Sequence, residues 1–151
     1  MKKHIIFSII LLILFSCEHP KPIHLGDDYY LIRSASFNDL TIVKSNNTGI
    51  IRGHVLNYIF DSTFILLTQR PRDSFPSSDK MKYSDYQKKF NSSTFKQYWI
   101  INKKEKNDYY FDTLTNTARY LNVYGPFKKE VYLQKRKELG VPDELILKEV
   151  K

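Results

Sequence analysis

The residues that could carry catalysis are few and far apart in this sequence. His54 has no second histidine four residues away, so it does not form the histidine pair of a zinc protease. The carboxylates of Asp27 and Asp28 lie beside Gly26 without the spacing of a calcium loop. The chain has five glycines and neither a GxSxG motif nor a glycine-rich phosphate loop. We therefore predict no enzyme, no cofactor and no metal site; an enzyme would need a polar pocket around His54 or clustered acids.

Lysine is concentrated in one stretch of the chain. Seven lysines and a single acid lie within residues 80–104. The preceding run, residues 70–80, is rich in proline and serine and predicts a long loop. A loop beside a charged surface is a common place for binding, so we predict a contact surface for an acidic protein or an anionic envelope component. Its residues are Arg70, Arg72, Lys80, Lys82, Lys88 and Lys89. The alternative is an ordinary solvated face.

The single cysteine, Cys17, follows an apolar segment that is typical of an export signal. Lys2 and Lys3 give a positive start, and residues 5–15 are apolar except for Ser8. Eleven residues suit the hydrophobic region of a signal peptide and are too few for a helix that spans a bilayer, which takes about twenty. We therefore predict that residues 1–16 are a signal peptide.

Leu14, Ser16 and Cys17 resemble the lipobox of bacterial lipoproteins, in which a small residue precedes the cysteine. The resemblance implies that diacylglycerol is attached to the Cys17 thiol and that acyl chains such as palmitate hold the protein at a bacterial membrane. Residues 17–25, with Pro20 and Pro22, then form a tether. The expected location is the cell envelope, on the periplasmic side or at the cell surface. An ordinary signal peptide or an uncleaved anchor is the alternative.

Residues 26–151 have the length of a single domain. Removal of Lys2 and Lys3 lowers the formal charge of the chain from +8 to +6. This basic charge does not indicate a nucleic-acid partner, because an exported and lipid-anchored protein seldom meets nucleic acid. With Cys17 used for the lipid, the domain has no cysteine for a disulfide.

Hydrophobic periodicity predicts an α+β domain, in which an antiparallel β-sheet of about five to seven strands carries a C-terminal helix packed on one face. The predicted strands are Tyr29–Arg33, Leu40–Lys44, residues 50–60, Phe64–Gln69 and residues 98–101, with a further short strand within residues 120–125 and a short closing strand around Leu145 and Leu147. Residues 50–60 and Phe64–Gln69 predict a hairpin. The predicted helices are residues 84–91 with Ser84 as the cap, residues 113–122, and residues 128–139 followed by Gly140.

Three short motifs, WIINK at residues 99–103, GPF at 125–127 and RKELGVP at 136–142, resemble an uncharacterised family of small bacterial lipoproteins of the Bacteroidetes type. An insertion at residues 105–124 separates this sequence from that pattern. The resemblance implies no catalytic residue. We expect a lipid-anchored envelope lipoprotein that binds a protein or an envelope component without catalysis. The alternative is a periplasmic immunity protein or an inhibitor of a toxin or enzyme.

Overall fold

A computed structural model describes residues 20–34, 38–72, 80–113 and 117–148 of the chain. Cys17 and the predicted signal peptide lie outside these ranges. In the described part, no helix is long and apolar enough to cross a membrane. The strands are β1 (Ile23–His24), β2 (Tyr29–Arg33), β3 (Leu40–Lys44), β4 (Gly49–Ile51), β5 (Val55–Phe60), β6 (Phe64–Gln69), β7 (Gln97–Asn102), β8 (Tyr109–Asp112), β9 (Thr117–Tyr120) and β10 (Val123–Phe127). The helices are α1 (Tyr83–Ser92) and α2 (Lys129–Glu138).

The strands form three antiparallel sheets. The N-terminal sheet has the order β1-β2-β3-β4, and the central sheet has the order β10-β7-β6-β5. Strands β8 and β9 pair only with each other among the described strands, and we call this two-stranded ribbon the arm.

The central sheet is apolar on both faces because it is covered on both. Ile65, Leu67 and Ile101 pack against the N-terminal sheet. Leu66 and Ile100 face the other way and pack against α2, where Tyr132 is buried. Every residue of β6 is buried, as expected of an interior strand between two layers. The domain therefore has three layers: N-terminal sheet, central sheet and helix.

The α+β class and most of the predicted elements are confirmed. Tyr29–Arg33, Leu40–Lys44 and Phe64–Gln69 are strands with the predicted bounds, and α1 and α2 fall within two residues of the predicted helices. Gly140 adopts a left-handed conformation, with φ of 66°, just after α2. Ser84 is not the cap of α1, because the helix begins at Tyr83 with Lys82 before it.

The prediction of one sheet of five to seven strands is wrong. Residues 50–60 were expected to form one strand, but β4 pairs with β3 in the N-terminal sheet and β5 pairs with β6 in the central sheet. The chain changes sheet at Gly53, where a Cβ atom would lie 2.5 Å from the Cβ of Asp39. Apolar residues lie on both sides of Gly53, so the sequence pattern alone did not reveal the break.

Two further elements differ from the predictions. In the segment 113–122, the described residues, 113 and 117–122, form no helix, since β9 occupies residues 117–120 and pairs with β8. Its β-branched and aromatic residues suit a strand, and strand pairing prevails over a weak helical stripe; Leu114 of that stripe lies outside the described residues. Leu145 and Leu147 form no strand, and Leu145 is instead buried beside α2.

Candidate functional site

Strand register divides the domain into two ends. At one end, which we call the Asp39 end, β2 finishes, β3 begins, and Arg33 lies opposite Leu40. His54 and Arg70 exchange backbone hydrogen bonds of 3.0 and 2.9 Å where β5 begins and β6 finishes, at this same end. At the opposite end, which we call the Lys103 end, β7 finishes and the arm begins.

An ion pair between the two sheets organises the Asp39 end. Arg72 donates from Nε to Oδ2 of Asp39 at 2.5 Å and from Nη2 to Oδ1 at 2.7 Å. Asp39 is only 5% exposed, so its carboxylate depends on this bidentate partner. The contact joins residues 33 positions apart and fixes the chain that leaves β6.

Helix α1 rests on two guanidinium groups through its aromatic face. The Cζ atom of Arg72 lies 4.0 Å from the ring centroid of Phe90, and that of Arg70 lies 5.5 Å away. Arg70 also donates to the carbonyl of Asn91 at 3.1 Å. Tyr86 and Phe90 are buried, and their rings stack at 6.2 Å. Cation–π contacts and main-chain capping therefore hold α1 at the Asp39 end.

The six residues predicted as a contact surface thus divide into two groups. Arg70 and Arg72 are half-buried and lie beneath α1. The other four side chains are exposed on α1 or just before it: Lys80, Lys82, Lys88 and Lys89. Asp85 is the one acidic residue of α1, so the exposed side of this helix is strongly basic.

His54 lies beside the ion pair rather than in a strand. Its Nδ1 is 3.3 Å from the amide of Leu40, which donates to it, and 3.2 Å from Oδ1 of Asp39. Burial lowers the pKa of His54 and the nearby arginines add to this effect, while Asp39 opposes it. The ring is therefore neutral at neutral pH, as the Leu40 contact requires, and His54 has a structural partner.

A cleft of about 460 Å³ opens at the Asp39 end between the two sheets. The lining residues include Thr41, Arg52 and Gln69. Asp39 and Arg72 also line the cleft, and their charges neutralise each other. Both polar atoms of the Gln69 side chain have hydrogen-bond partners within the domain. Its Oε1 accepts a 2.7 Å hydrogen bond from Trp99, and its Nε2 donates to the carbonyl of Arg52. Within the described ranges, no three His, Cys, Asp or Glu side chains gather closely enough to hold a metal ion.

At the Lys103 end a lysine joins the two sheets through main-chain carbonyls. Lys103 donates to the carbonyl of Leu25 at 2.8 Å and to that of Asp61 at 2.6 Å. Burial lowers the pKa of Lys103. Gly26, with φ of 93°, leaves room for this side chain, since a Cβ atom there would lie 2.3 Å from Nζ. The lysine of the WIINK motif is therefore structural.

Two of the motifs noted in the sequence meet in space. A Cβ atom at Gly125, whose φ is 135°, would lie 2.7 Å from the ring of Trp99. The glycine lets β10 pass directly across the indole. Asn122, just before β10, donates to the hydroxyl of Tyr29 at 2.9 Å and to the carbonyl of Asn102 at 3.0 Å. These motifs therefore specify packing at the join between the sheets.

The arm extends the Lys103 end and exposes its aromatic residues. Tyr109, Tyr110 and Phe111 are 69%, 48% and 57% exposed, and Leu121 at its base is 51% exposed. Consecutive residues of a strand point to opposite faces, so both faces of the ribbon carry exposed aromatic rings. Lys44 makes a cation–π contact at the base of the arm, with its Nζ 5.5 Å from the ring centroid of Tyr120.

Sequence reasoning missed the arm as a candidate site. Residues 109–111 are three consecutive aromatics, and the run TARY at residues 117–120 follows after a short gap. Two short β-prone runs separated by a few residues are the signal of a hairpin. Assignment of residues 113–122 to a helix concealed that signal.

The chain belongs to the family described as "Protein of unknown function (DUF3997)", which it matches over residues 26–151. This match confirms the predicted membership of an uncharacterised family. No curated protein and no solved structure matches the chain.

Proposed function

We propose that this chain is a lipid-anchored cell-envelope lipoprotein that works as a non-catalytic binding module, with the arm as its protein-binding element. The observation that carries the proposal is the exposure of three consecutive aromatic residues, Tyr109, Tyr110 and Phe111. Contiguous exposed apolar side chains mark interaction sites, and tyrosine and phenylalanine are enriched at the centres of protein interfaces.

The course of the N-terminal chain supports the orientation that this proposal needs. Strand β1 is antiparallel to β2, with Ile23 opposite Leu31 and His24 opposite Tyr30. The chain therefore enters β1 from the Asp39 end and runs toward the Lys103 end. An acyl group on Cys17 would hold the Asp39 end nearer the bilayer and direct the arm away from it.

A narrower form of the proposal is an inhibitor or immunity protein that blocks a toxin or enzyme in the periplasm. The shape of the arm favours it, because a two-stranded ribbon with aromatic rings on both faces can enter a cleft of a partner. Four-residue strands in β8 and β9 make a ribbon roughly 13 Å long, which is suited to a pocket rather than a flat surface.

The anchor is tested by labelling the intact chain in its host with radioactive palmitate. We expect wild-type protein to incorporate the label and to fractionate with membranes. Cys17→Ser should lose both properties. Retention of the unlabelled Cys17→Ser protein on membranes washed with high salt would contradict lipid anchoring.

The binding role is tested by recovering the tagged full-length protein from solubilised envelopes. We expect a partner protein that co-purifies with wild type and is lost from Tyr109→Ser/Phe111→Ser. Val131→Ser/Leu133→Ser on α2 is the matched control, because those residues are 49% and 46% exposed. Recovery of the same partner by the arm variant would contradict the role of the arm.

A further inference from the structure

We propose that the basic face of α1 docks the domain onto anionic lipid headgroups of the membrane that holds Cys17. This inference rests on the proposed lipid anchor and adds a second, electrostatic contact to it. The four exposed lysines, Lys80, Lys82, Lys88 and Lys89, form the contact.

Chain length keeps the basic helix close to the membrane. Five residues lie between Cys17 and Ile23, so the two Cα atoms are at most about 20 Å apart. The chain enters β1 from the Asp39 end, and α1 lies at that same end through Arg70, Arg72 and Phe90. The entry of the chain into β1 and the helix α1 therefore both lie toward the Asp39 end.

The composition of the helix surface suits a bilayer interface. Tyr83 lies between Lys82 and Lys88 in the sequence and Phe95 follows α1, and the two are 56% and 48% exposed. Aromatic rings next to lysine side chains are characteristic of segments that lie in the headgroup region of anionic membranes. The lysines supply charge complementarity to anionic lipid, and the rings supply apolar contact below the headgroups.

The internal face of α1 makes this surface rigid. Tyr86 and Phe90 are turned inward onto Arg72, so the helix presents its lysines from a fixed platform. The side chains therefore need little rearrangement to meet the membrane. A protein partner of the same surface would be an acidic one, and the experiment below distinguishes the two.

The test compares hydrogen–deuterium exchange of α1 in the purified full-length lipoprotein, reconstituted in vesicles of phosphatidylcholine alone or with phosphatidylglycerol. We expect exchange in α1 to slow by at least about fivefold in the anionic vesicles, and high salt to reverse the effect. Lys88→Gln/Lys89→Gln should weaken docking by about 25-fold, whereas Lys104→Gln/Lys106→Gln at the Lys103 end should change it by less than twofold.

Equal exchange of α1 in the two kinds of vesicle would overturn the inference. Protection that appears only after an envelope protein fraction is added would also overturn it, in favour of a protein partner. Mass measurement of acylation on Cys17 is made on the same sample, so a missing anchor is recognised separately. Unacylated protein mixed with the same vesicles still reports whether α1 binds lipid.

Discussion

The two ends of the domain differ in which side chains they bury and which they expose. At the Asp39 end, α1 buries Tyr86 and Phe90 and exposes lysines. At the Lys103 end, the cation Lys103 is drawn inward and the arm exposes Tyr109, Tyr110 and Phe111. One end therefore offers a charged surface and the other an apolar one. The two surfaces match the two partners that we propose, an anionic bilayer for the charged surface and a protein for the apolar one.

A cation joins the N-terminal and central sheets at each end, but the two cations have different partners. Arg72 satisfies a buried carboxylate, whereas Lys103 donates to two carbonyls. Loss of Arg72 would leave a charge without its partner in the interior. Loss of Lys103 would leave only neutral acceptors, so the same kind of substitution should have unequal costs.

The largest effect is expected at the Asp39 end. Arg72→Met should lower the free energy of unfolding by about 3–5 kcal/mol, because the Asp39 carboxylate stays buried without its bidentate partner. Urea unfolding measures the loss. The double variant Asp39→Asn/Arg72→Met should be more stable than Arg72→Met alone, and purely additive losses would contradict the ion pair.

A smaller loss is expected at the Lys103 end. Lys103→Met should lower the free energy of unfolding by about 2 kcal/mol, since two carbonyls lose a charged donor. Lys104→Met, an exposed neighbour, is the matched control and should be close to wild type. If Lys103→Met lowered the free energy of unfolding as much as Arg72→Met, the two ends would not differ as we propose.

Acid should weaken the Asp39 end through His54. Its pKa in the folded state lies below the ordinary 6.5, so the unfolded state binds more protons. The stabilisation is present above about pH 6.5 and is lost as the pH falls below that value. His54→Gln should flatten the fall in stability between about pH 7 and about pH 5. His24→Gln, on exposed β1, is the control, and an unchanged profile in His54→Gln would contradict this account.

The smallest effect on stability is expected in the arm. Tyr109→Ser/Phe111→Ser should change the free energy of unfolding by no more than about 0.5 kcal/mol, because both side chains are largely exposed. Thermal unfolding checks this. A loss of several kcal/mol would mean that the aromatic rings support the fold rather than a partner.

Local patterns predicted the elements better than they predicted the sheets. The short apolar runs of β2, β3 and β6, and the glycine after α2, carry enough information within a few residues to place those elements. The crossing at Gly53 depends on contact with Asp39, and the strand nature of residues 117–120 depends on pairing with β8. Such long-range contacts leave little trace in a single short window.

The candidate sites, like the fold, could be predicted from the sequence only where the signal is local. Lysine clustering pointed to α1 because charge can be read directly from the sequence. It did not reveal that Arg70 and Arg72 face inward, since their roles depend on Phe90 and Asp39 from distant parts of the chain. The arm went unrecognised because exposure of an aromatic side chain is a property of the folded domain, and most aromatic residues are used in packing.

In-cell photo-crosslinking from the two ends distinguishes an arm that binds protein from a helix that binds lipid. A photoreactive phenylalanine analogue replaces Tyr110 in one protein and Lys88 in another, both otherwise full length. We predict a crosslink to a defined protein from position 110 and none to that protein from position 88, where the probe should react with lipid. A crosslink to the same protein from both positions, or no protein crosslink from position 110, would contradict the account.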